Sequence, residues 1–589
     1  MQGFRGLEVR RLLVATAVLV ATVAAVAFVI VGHGSPPQRS VAERYARAWA
    51  RADYAAMYAL LTPAARRRTP LDRFTRAHRR ALDVATARAL TVGRPTGEAD
   101  RWRVPVVAPT RAFGTVRGTV ALEVAKTGDD SAGVAWRPHL VFPGVARGAE
   151  LSRRTRLPQR ASLLARDGSP LAQGPLRSSP LGPVAAAAVG QLGAVAPERA
   201  AHLRRLGWPA GEQVGVTGLE RIFDERLAGT PGGVLRAGGK VLGAGVPRAA
   251  SAVRTTITPS VQQATVDALA GRLGGIVAVD PRDGAVLGFA GIAFTGLQPP
   301  GSTFKLITLT AALESRAASA ASTYPVQTAA TLSGVELSNA NGEACGGTLA
   351  LAFAESCNSV FAPLGVRVGA KRLVATAEHF GFNRPPAFAG AATSTIPAPG
   401  ELGDDLGVGS TAIGQGRVQA TALQLADTAA TIARGGRRPR LTLDLLVARD
   451  RRPGARAGGR GASRDDLATG ERATPARVAQ TVERLMIGVV RRGTGRQAAI
   501  PGVPVAGKTG TAELRSTAPC EPDPANPEAC PPDQANDPTD TDAWFTAFAP
   551  AGRRPARVAV GVLLVGAGAG GDTAAPAART VMLAALARG

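Results

Sequence analysis

The sequence predicts a multidomain α+β protein behind a single N-terminal transmembrane helix, and three observations carry that expectation. Leu12 to Gly32 is a run of 21 residues without a charge, long enough to cross a bilayer. Between residues 41 and 142, helical spacing gives way to alternating stretches divided by turn residues, the order of a small α+β domain. From residue 251 a strand–turn–strand signal leads to a helix entrance at Pro299-Pro300-Gly301-Ser302, and Val558 to Val565 reads as a buried strand. An antiparallel sheet flanked by helices is expected there.

Arg5, Arg10 and Arg11 precede the apolar run, so residues 1–11 should stay in the cytoplasm and the chain beyond 12–32 should lie outside the membrane. A cleaved signal peptide is the rival reading. The run is longer than an ordinary h-region, and Val31-Gly32-His33-Gly34-Ser35 lacks a small-residue cleavage site, which favours an uncleaved anchor.

Val41 to Leu61 has helical spacing, with Tyr45 and Trp49 on one face, and Arg73 to Leu90 reads as a second helix. Trp102–Val107, Thr115–Val124 and Val134–Phe142 read as strands of a curved sheet. The Gly-rich stretch from Gly238 to Ala250 reads as a linker. Thr255–Thr258 is expected as a short strand and Ser260–Leu273 as a helix. A hairpin of 275–280 with 285–290 follows, turning at Arg282-Asp283-Gly284. Arg452 to Arg464 reads as a mobile loop and Val581–Leu586 as a closing helix.

Composition sets limits on partners. The formal net charge is +26, yet it comes from 65 arginines against five lysines, scattered through every segment. That argues for compositional bias and against a nucleic-acid-binding patch, while leaving some attraction to an anionic surface such as a membrane or cell wall. The five histidines are His33, His78, His139, His202 and His379. They are unclustered, so no metal site is expected, and their placement gives a Ser-His-Asp triad no support. No cofactor is expected either.

Two of the five lysines fall in stretches with chemical content. Ser302 and Lys305 stand three apart at a helix start, hence on one face. A hydroxyl is a weak nucleophile until a neighbour takes its proton. A lysine can do so only where burial or nearby positive charge lowers its pKa. One such pair alone reads as a surface helix start. Ser356-Cys357-Asn358 follows 54 positions after Ser302, and Lys508-Thr509-Gly510-Thr511 begins 152 after Ser356. Gly502 to Thr509 also fits the Walker A pattern, but a phosphate-binding loop follows a strand and opens a helix. Here Pro504 interrupts and Gly510-Thr511 continues as an extended piece.

In this order the three boxes resemble the S-x-x-K, S-D-N and K-T-G set of penicillin-binding proteins and class A β-lactamases, with Cys357 at the central position of the second. The chain resembles a class B penicillin-binding protein. Residues 41–146 resemble the NTF2-like domain at the front of some members. Arg160-Ala161-Ser162-Leu163-Leu164-Ala165-Arg166-Asp167-Gly168 and Gly218-Leu219-Glu220-Arg221 resemble motifs of the pedestal, or dimerisation, domain, here 147–250, with Ala161 where glycine is usual. Gly414-Gln415-Gly416 with Thr421-Ala422-Leu423-Gln424 resembles a further segment of the transpeptidase domain, here 251–589 with a β-lactamase-like fold.

The resemblance implies a peptidoglycan D,D-transpeptidase working through a serine acyl-enzyme and acylated by β-lactams. Ser302 is then the nucleophile, Lys305 the general base, Ser356 the proton shuttle and Lys508 an electrostatic group. Asn358, Thr509, Gly510 and Thr511 would bind substrate, and the backbone N–H groups of Ser302 and Thr511 would form the oxyanion hole. Implied partners are stem peptides, β-lactams, the membrane and a glycosyltransferase of the elongation or division machinery. The alternatives are a D,D-carboxypeptidase and a non-catalytic β-lactam-binding division scaffold or sensor. Outside the membrane disulfides persist. Cys520 and Cys530, flanking a Pro/Asp-rich insertion, are expected to pair. Cys345 and Cys357 could also pair, or Cys357 could be only a small buried hydrophobe.

Overall fold

The computed structural model describes residues 37–450, 470–513 and 541–587. The expected anchor at 12–32, the loop at 452–464 and the Cys520–Cys530 pair lie outside the described residues. Among the described residues, no helix is long and apolar enough to cross a membrane. The chain forms two compact units, one of residues up to 158 with 195–212 and 229–249, the other of 159–194, 213–228 and 250 onward. The pedestal-like stretch 147–250 therefore contributes to both.

The first unit begins with α1 (Pro37–Ala50) and α2 (Tyr54–Ala59). These were expected as one helix over 41–61. The chain instead turns at Ala52, whose φ is +54°, and restarts where the Asp53 side chain accepts the Ala56 N–H, a helix cap that outcompetes continuation. α3 (Leu71–Ala85) follows. β1 (Arg101–Pro109) buries every second residue, as a strand with one covered face must. It pairs antiparallel with β2 (Thr115–Gly128), which pairs with β3 (Ser131–Val134). The strand expected over 134–142 stops at Val134, because Pro138 opens a short 3-10 turn, Pro138–Val141. A second sheet joins β4 (Leu151–Arg156), β5 (Gly232–Ala237) and β6 (Lys240–Gly245) in the order β6-β5-β4. β6 lies in the stretch read as a linker; its glycines hid a strand whose partner is adjacent in sequence.

The core of this unit is aromatic. His78 is 1% exposed, with the Phe74, Tyr54 and Trp49 rings 4.7, 5.5 and 5.7 Å from its own. Burial lowers its pKa to about 3, against roughly 6.5 in an unfolded chain. Between those values the unfolded state binds more protons, so stability falls as pH drops through that window, by about 3 kcal/mol at pH 4.5. His78→Phe should flatten the acid side of a plot of unfolding midpoint against pH. An unchanged acid slope would remove His78 as its cause.

In the second unit, Arg160 and Arg177 close on buried carboxylates. Arg160 lies 2.6 Å from Glu220 and 2.8 Å from Asp224, and Arg177 lies 2.7 Å from Glu220. Both pedestal-like motifs thus meet in one ion cluster, worth keeping whole because a lost partner leaves a buried charge uncompensated. The larger part is built on a five-stranded antiparallel sheet. α4 (Pro259–Leu269) leads into β7 (Gly274–Asp280) and β8 (Ala285–Gly291), and α5 (Lys305–Glu314) follows. The excursion after α5 holds β9 (Thr323–Gln327), β10 (Ala329–Leu332), β11 (Val335–Ser338) and β12 (Cys345–Thr348). Next come α6 (Leu349–Ala354), α7 (Asn358–Val368), α8 (Ala422–Ala433) and α9 (Ala476–Arg492). β13 (Ala506–Glu513), β14 (Thr541–Ala549), β15 (Val558–Leu564) and α10 (Ala574–Leu586) complete the unit. The sheet order is β8-β7-β15-β14-β13.

Side chains alternate across this sheet. Val277, Val279, Trp544 and Phe548 pack on the side of α5 and α8. Ile276, Ala278, Phe545 and Val560 pack against α4 and α10. Being covered on both faces, β7 and β15 are buried along their whole length and apolar except for Asp280 at the end of β7. β13, at the sheet edge, carries the Lys508 box beside α5.

Candidate active site

Ser302 sits in a 3-10 turn, Gly301–Phe304, and Lys305 is the first residue of α5. The turn is tight because β13 presses on it. Gly301 has φ +51°, and a Cβ there would lie 2.4 Å from the Thr511 carbonyl oxygen. A Cβ on Gly510 would come within 2.8 Å of the Pro300 oxygen. Both positions need glycine. The Gly301 N–H donates to the Gly414 carbonyl at 3.0 Å, which ties in the Gly-Gln-Gly segment. The start of α5 and the Thr511 stretch of β13 are thereby held against each other.

The second box is a helix-to-helix junction. After α6 the Ser356 N–H bonds to the Phe353 carbonyl and the Cys357 N–H to the Ala352 carbonyl. Together these form a Schellman end with Ser356 in the position glycine usually takes. Its φ is +66°, a conformation costing a non-glycine residue on the order of 1 kcal/mol or more. The left-handed turn directs the Ser356 carbonyl at Lys305, whose Nζ lies 2.6 Å away.

Around Lys305 Nζ the oxygens are Ser356 O at 2.6 Å, Asn358 Oδ1 at 2.7 Å, Ser302 Oγ at 2.9 Å and Ser356 Oγ at 3.3 Å. Two of these, the carbonyl and the amide oxygen, can only accept. A neutral amine has two hydrogens for them and a lone pair left for the Ser302 hydroxyl. Lys305 is fully buried, and its pKa is driven well below the usual lysine range by burial and then by the charge of Lys508. Lys508 Nζ donates to Ser356 Oγ at 2.8 Å and to the Thr509 carbonyl at 3.1 Å. Burial lowers its pKa to about 7. Ser356 Oγ therefore lies between two amines, and Ser302 Oγ beside one: a hydroxyl nucleophile, a base and a second hydroxyl in one chain of hydrogen bonds.

Ser302, Lys305, Ser356, Asn358 and Lys508, all read from sequence, thus meet in one hydrogen-bonded cluster. Asn358 has both ends engaged, its Nδ2 donating to the Ser338 carbonyl at 2.7 Å, and keeps one N–H for another partner. Thr509 Oγ1 lies 2.6 Å from Thr494 Oγ1, and Thr511 Oγ1 accepts the Gly570 N–H at 3.4 Å. Lys508 lies on a strand, followed by more strand, so no phosphate-binding loop forms. Cys345 and Cys357 are joined by a disulfide. Thr494, Ser338 and Asn339 were not found from sequence. Thr494 stands in Gly493-Thr494-Gly495, which reads only as a turn, and the other two act on the site through long-range contacts.

Comparison with known proteins agrees with this geometry. Residues 274–583 match the penicillin-binding protein transpeptidase domain, and 156–240 the penicillin-binding protein dimerisation domain. The chain is 33% identical over 395 residues to the peptidoglycan D,D-transpeptidase PbpA of Mycobacterium tuberculosis, covering 57% of this chain and 72% of that protein. To PbpA of Mycolicibacterium smegmatis it is 32% identical over 431 residues, covering 63% and 77%. The solved penicillin G acyl-enzyme complex of M. tuberculosis penicillin-binding protein A superposes with a TM-score of 0.53 at 28% identity, covering 73% of this chain and 99% of that one. A transpeptidase domain spanning more than half of the chain, behind a dimerisation domain, assigns it: the chain belongs to the class B penicillin-binding proteins.

Proposed function

We propose that this protein is a peptidoglycan D,D-transpeptidase in which Ser302 is the acylated nucleophile. The observation that carries the reading is the 2.9 Å approach of Ser302 Oγ to a buried Lys305 amine of depressed pKa. Lys305 takes the hydroxyl proton as Ser302 Oγ bonds to the carbonyl carbon between the two terminal D-alanines of a stem peptide. The oxyanion that forms accepts from the N–H groups of Ser302 and Thr511, each donor being worth a few kcal/mol in sites of this kind. Ser356, hydrogen-bonded to Lys508, passes a proton to the departing D-alanine nitrogen, leaving an ester on Ser302. A stem amine from a second strand then attacks the ester and restores the hydroxyl. Asn358 holds the peptide backbone of the donor. Lys508, Thr509 and Thr511 hold its carboxylate, with Gly510 letting the strand lie close. Strained β-lactam amides acylate the same serine, in line with the penicillin G complex of the mycobacterial relative.

Incubation with a donor pentapeptide and an amine-bearing acceptor tests the reading. Cross-linked dimer together with released D-alanine is expected. Free tetrapeptide alone would identify a D,D-carboxypeptidase instead.

The two lysines set a pH dependence. Lys305 must be neutral to act and Lys508 charged to attract a carboxylate. In free enzyme kcat/KM should therefore fall on the alkaline side as Lys508 loses its proton near pH 7. Lys508→Arg, which stays protonated, should lose that alkaline fall. Retention of the fall in the variant would place its origin elsewhere.

Residues 12–32 would anchor the chain in the cell membrane with the N-terminus cytoplasmic and the catalytic domain extracytoplasmic, supported by their uncharged length and the arginines before them. Residues 41–146 would form an NTF2-like domain, supported by four helices, the third in chain order being Pro63–Arg68, leading into an antiparallel sheet. A glycosyltransferase of the elongation or division machinery would supply the strands to be joined.

A further inference from the structure

Three consecutive residues after Ser356 are anchored to one short excursion of the chain. Cys357 is bonded to Cys345 on β12. Asn358 Nδ2 donates to the Ser338 carbonyl at 2.7 Å, and the Ser359 N–H donates to Asn339 Oδ1 at 2.9 Å. Asn339 is itself fixed, its Nδ2 donating to the carbonyls of Gln327 at 2.7 Å and Glu343 at 2.9 Å. Gln327 pairs with Cys345 across β9 and β12. The excursion is thus a closed frame with one covalent and one hydrogen-bonded grip on the Ser-Cys-Asn box and a second hydrogen bond to Ser359, the residue after it.

A frame is what Ser356 requires. A left-handed serine relaxes unless its surroundings hold it, and relaxation would carry its hydroxyl and carbonyl away from Lys508 and Lys305. With the disulfide formed, Ser356 Oγ stands 2.8 Å from one amine and its carbonyl 2.6 Å from the other, so the bonded box is the assembled box. Cys345 is 7% exposed and Cys357 not at all, which makes the bond a shielded strut that exchanges slowly with an external thiol.

We propose that Cys345 and Cys357 are positioning residues for acyl transfer: their disulfide holds Ser356 and Asn358 in register with Lys305 and Lys508, and Asn339 does the same by hydrogen bonding. The inference rests on the reading of Ser302 acylation above. Misplacement of the box should appear chiefly in the chemical step, since Ser356 moves a proton there, with a smaller loss of β-lactam affinity through Asn358.

The test measures acylation by a fluorescent penicillin over a concentration series, separating the first-order acylation constant from the dissociation constant, with an unfolding midpoint for each protein. In Cys345→Ala/Cys357→Ala the acylation constant should fall about tenfold or more, with a smaller change in the dissociation constant and the protein folded at assay temperature. Wild type is also treated with dithiothreitol, which takes the disulfide to two thiols while itself becoming a cyclic disulfide. Alkylation and mass analysis confirm the state. The folded reduced protein should show the same fall, and reoxidation should restore the rate. The double variant should not respond to dithiothreitol, which separates this bond from Cys520 and Cys530. An acylation constant equal in oxidised, reduced and variant proteins would overturn the proposal. So would a deficit in the variant alone, with folded reduced wild type acylating at full rate. If oxidised wild type is not acylated at all, the reading of Ser302 falls, and this inference with it.

Discussion

Ser302→Ala abolishes covalent labelling by a fluorescent penicillin while the protein stays folded. The expectation follows from position. Ser302 and Ser356 are the two hydroxyls beside the amine of Lys305, at 2.9 and 3.3 Å. Ser302 alone stands at the entrance of α5, next to backbone held against Thr511. Ser356 faces Lys508 as well, and its carbonyl is taken by Lys305. Alanine removes the only atom that forms the ester, so no residual turnover through the acyl-enzyme is expected. Labelling of Ser302→Ala equal to wild type would shift the nucleophile elsewhere, with Ser356 the first candidate.

Lys305→Arg lowers the acylation rate by roughly 100- to 10,000-fold, the range a general base supplies. Arginine keeps a positive charge and a long side chain, but it does not lose its proton at any working pH, so the substitution removes basicity and leaves charge. Lys305→Met tests the same point without charge and adds a stability readout. The folded-state pKa of Lys305 lies well below its ordinary value, so between the two the unfolded chain holds more protons and stability rises with pH. The buried lysine is thus a cost to the fold at neutral pH. Methionine should leave the unfolding midpoint unchanged or raised, while acylation collapses. A methionine variant acylating at the wild-type rate would exclude Lys305 as the base. Loss of activity with a lowered midpoint would instead give Lys305 a role in holding the fold.

The chemistry was legible in the sequence because each box is local. Ser302 and Lys305 lie three apart on one turn, and Lys508, Thr509 and Thr511 lie on one strand, so short-range geometry fixes their relations. What joins the boxes is not local. Thr494 reaches Thr509, and Asn339 reaches Ser359, only once α9 and the β9–β12 excursion have packed. The depth of Lys508, which sets its pKa, is likewise a product of packing. The disulfide had two plausible readings at Cys357, since connectivity cannot be deduced from spacing alone. In the fold, glycine misled at β6, where a Gly-rich stretch pairs as a strand, and periodicity misled at Ala52 and Pro138, where a cap and a proline overrode it.

The most direct measurement is peptide mapping of the protein after treatment with penicillin G. One adduct of the intact drug mass is expected, on the proteolytic peptide containing Ser302, and none when Ser302 is alanine. An adduct on any other residue, or a folded wild-type protein that takes up none, would contradict Ser302 as the nucleophile.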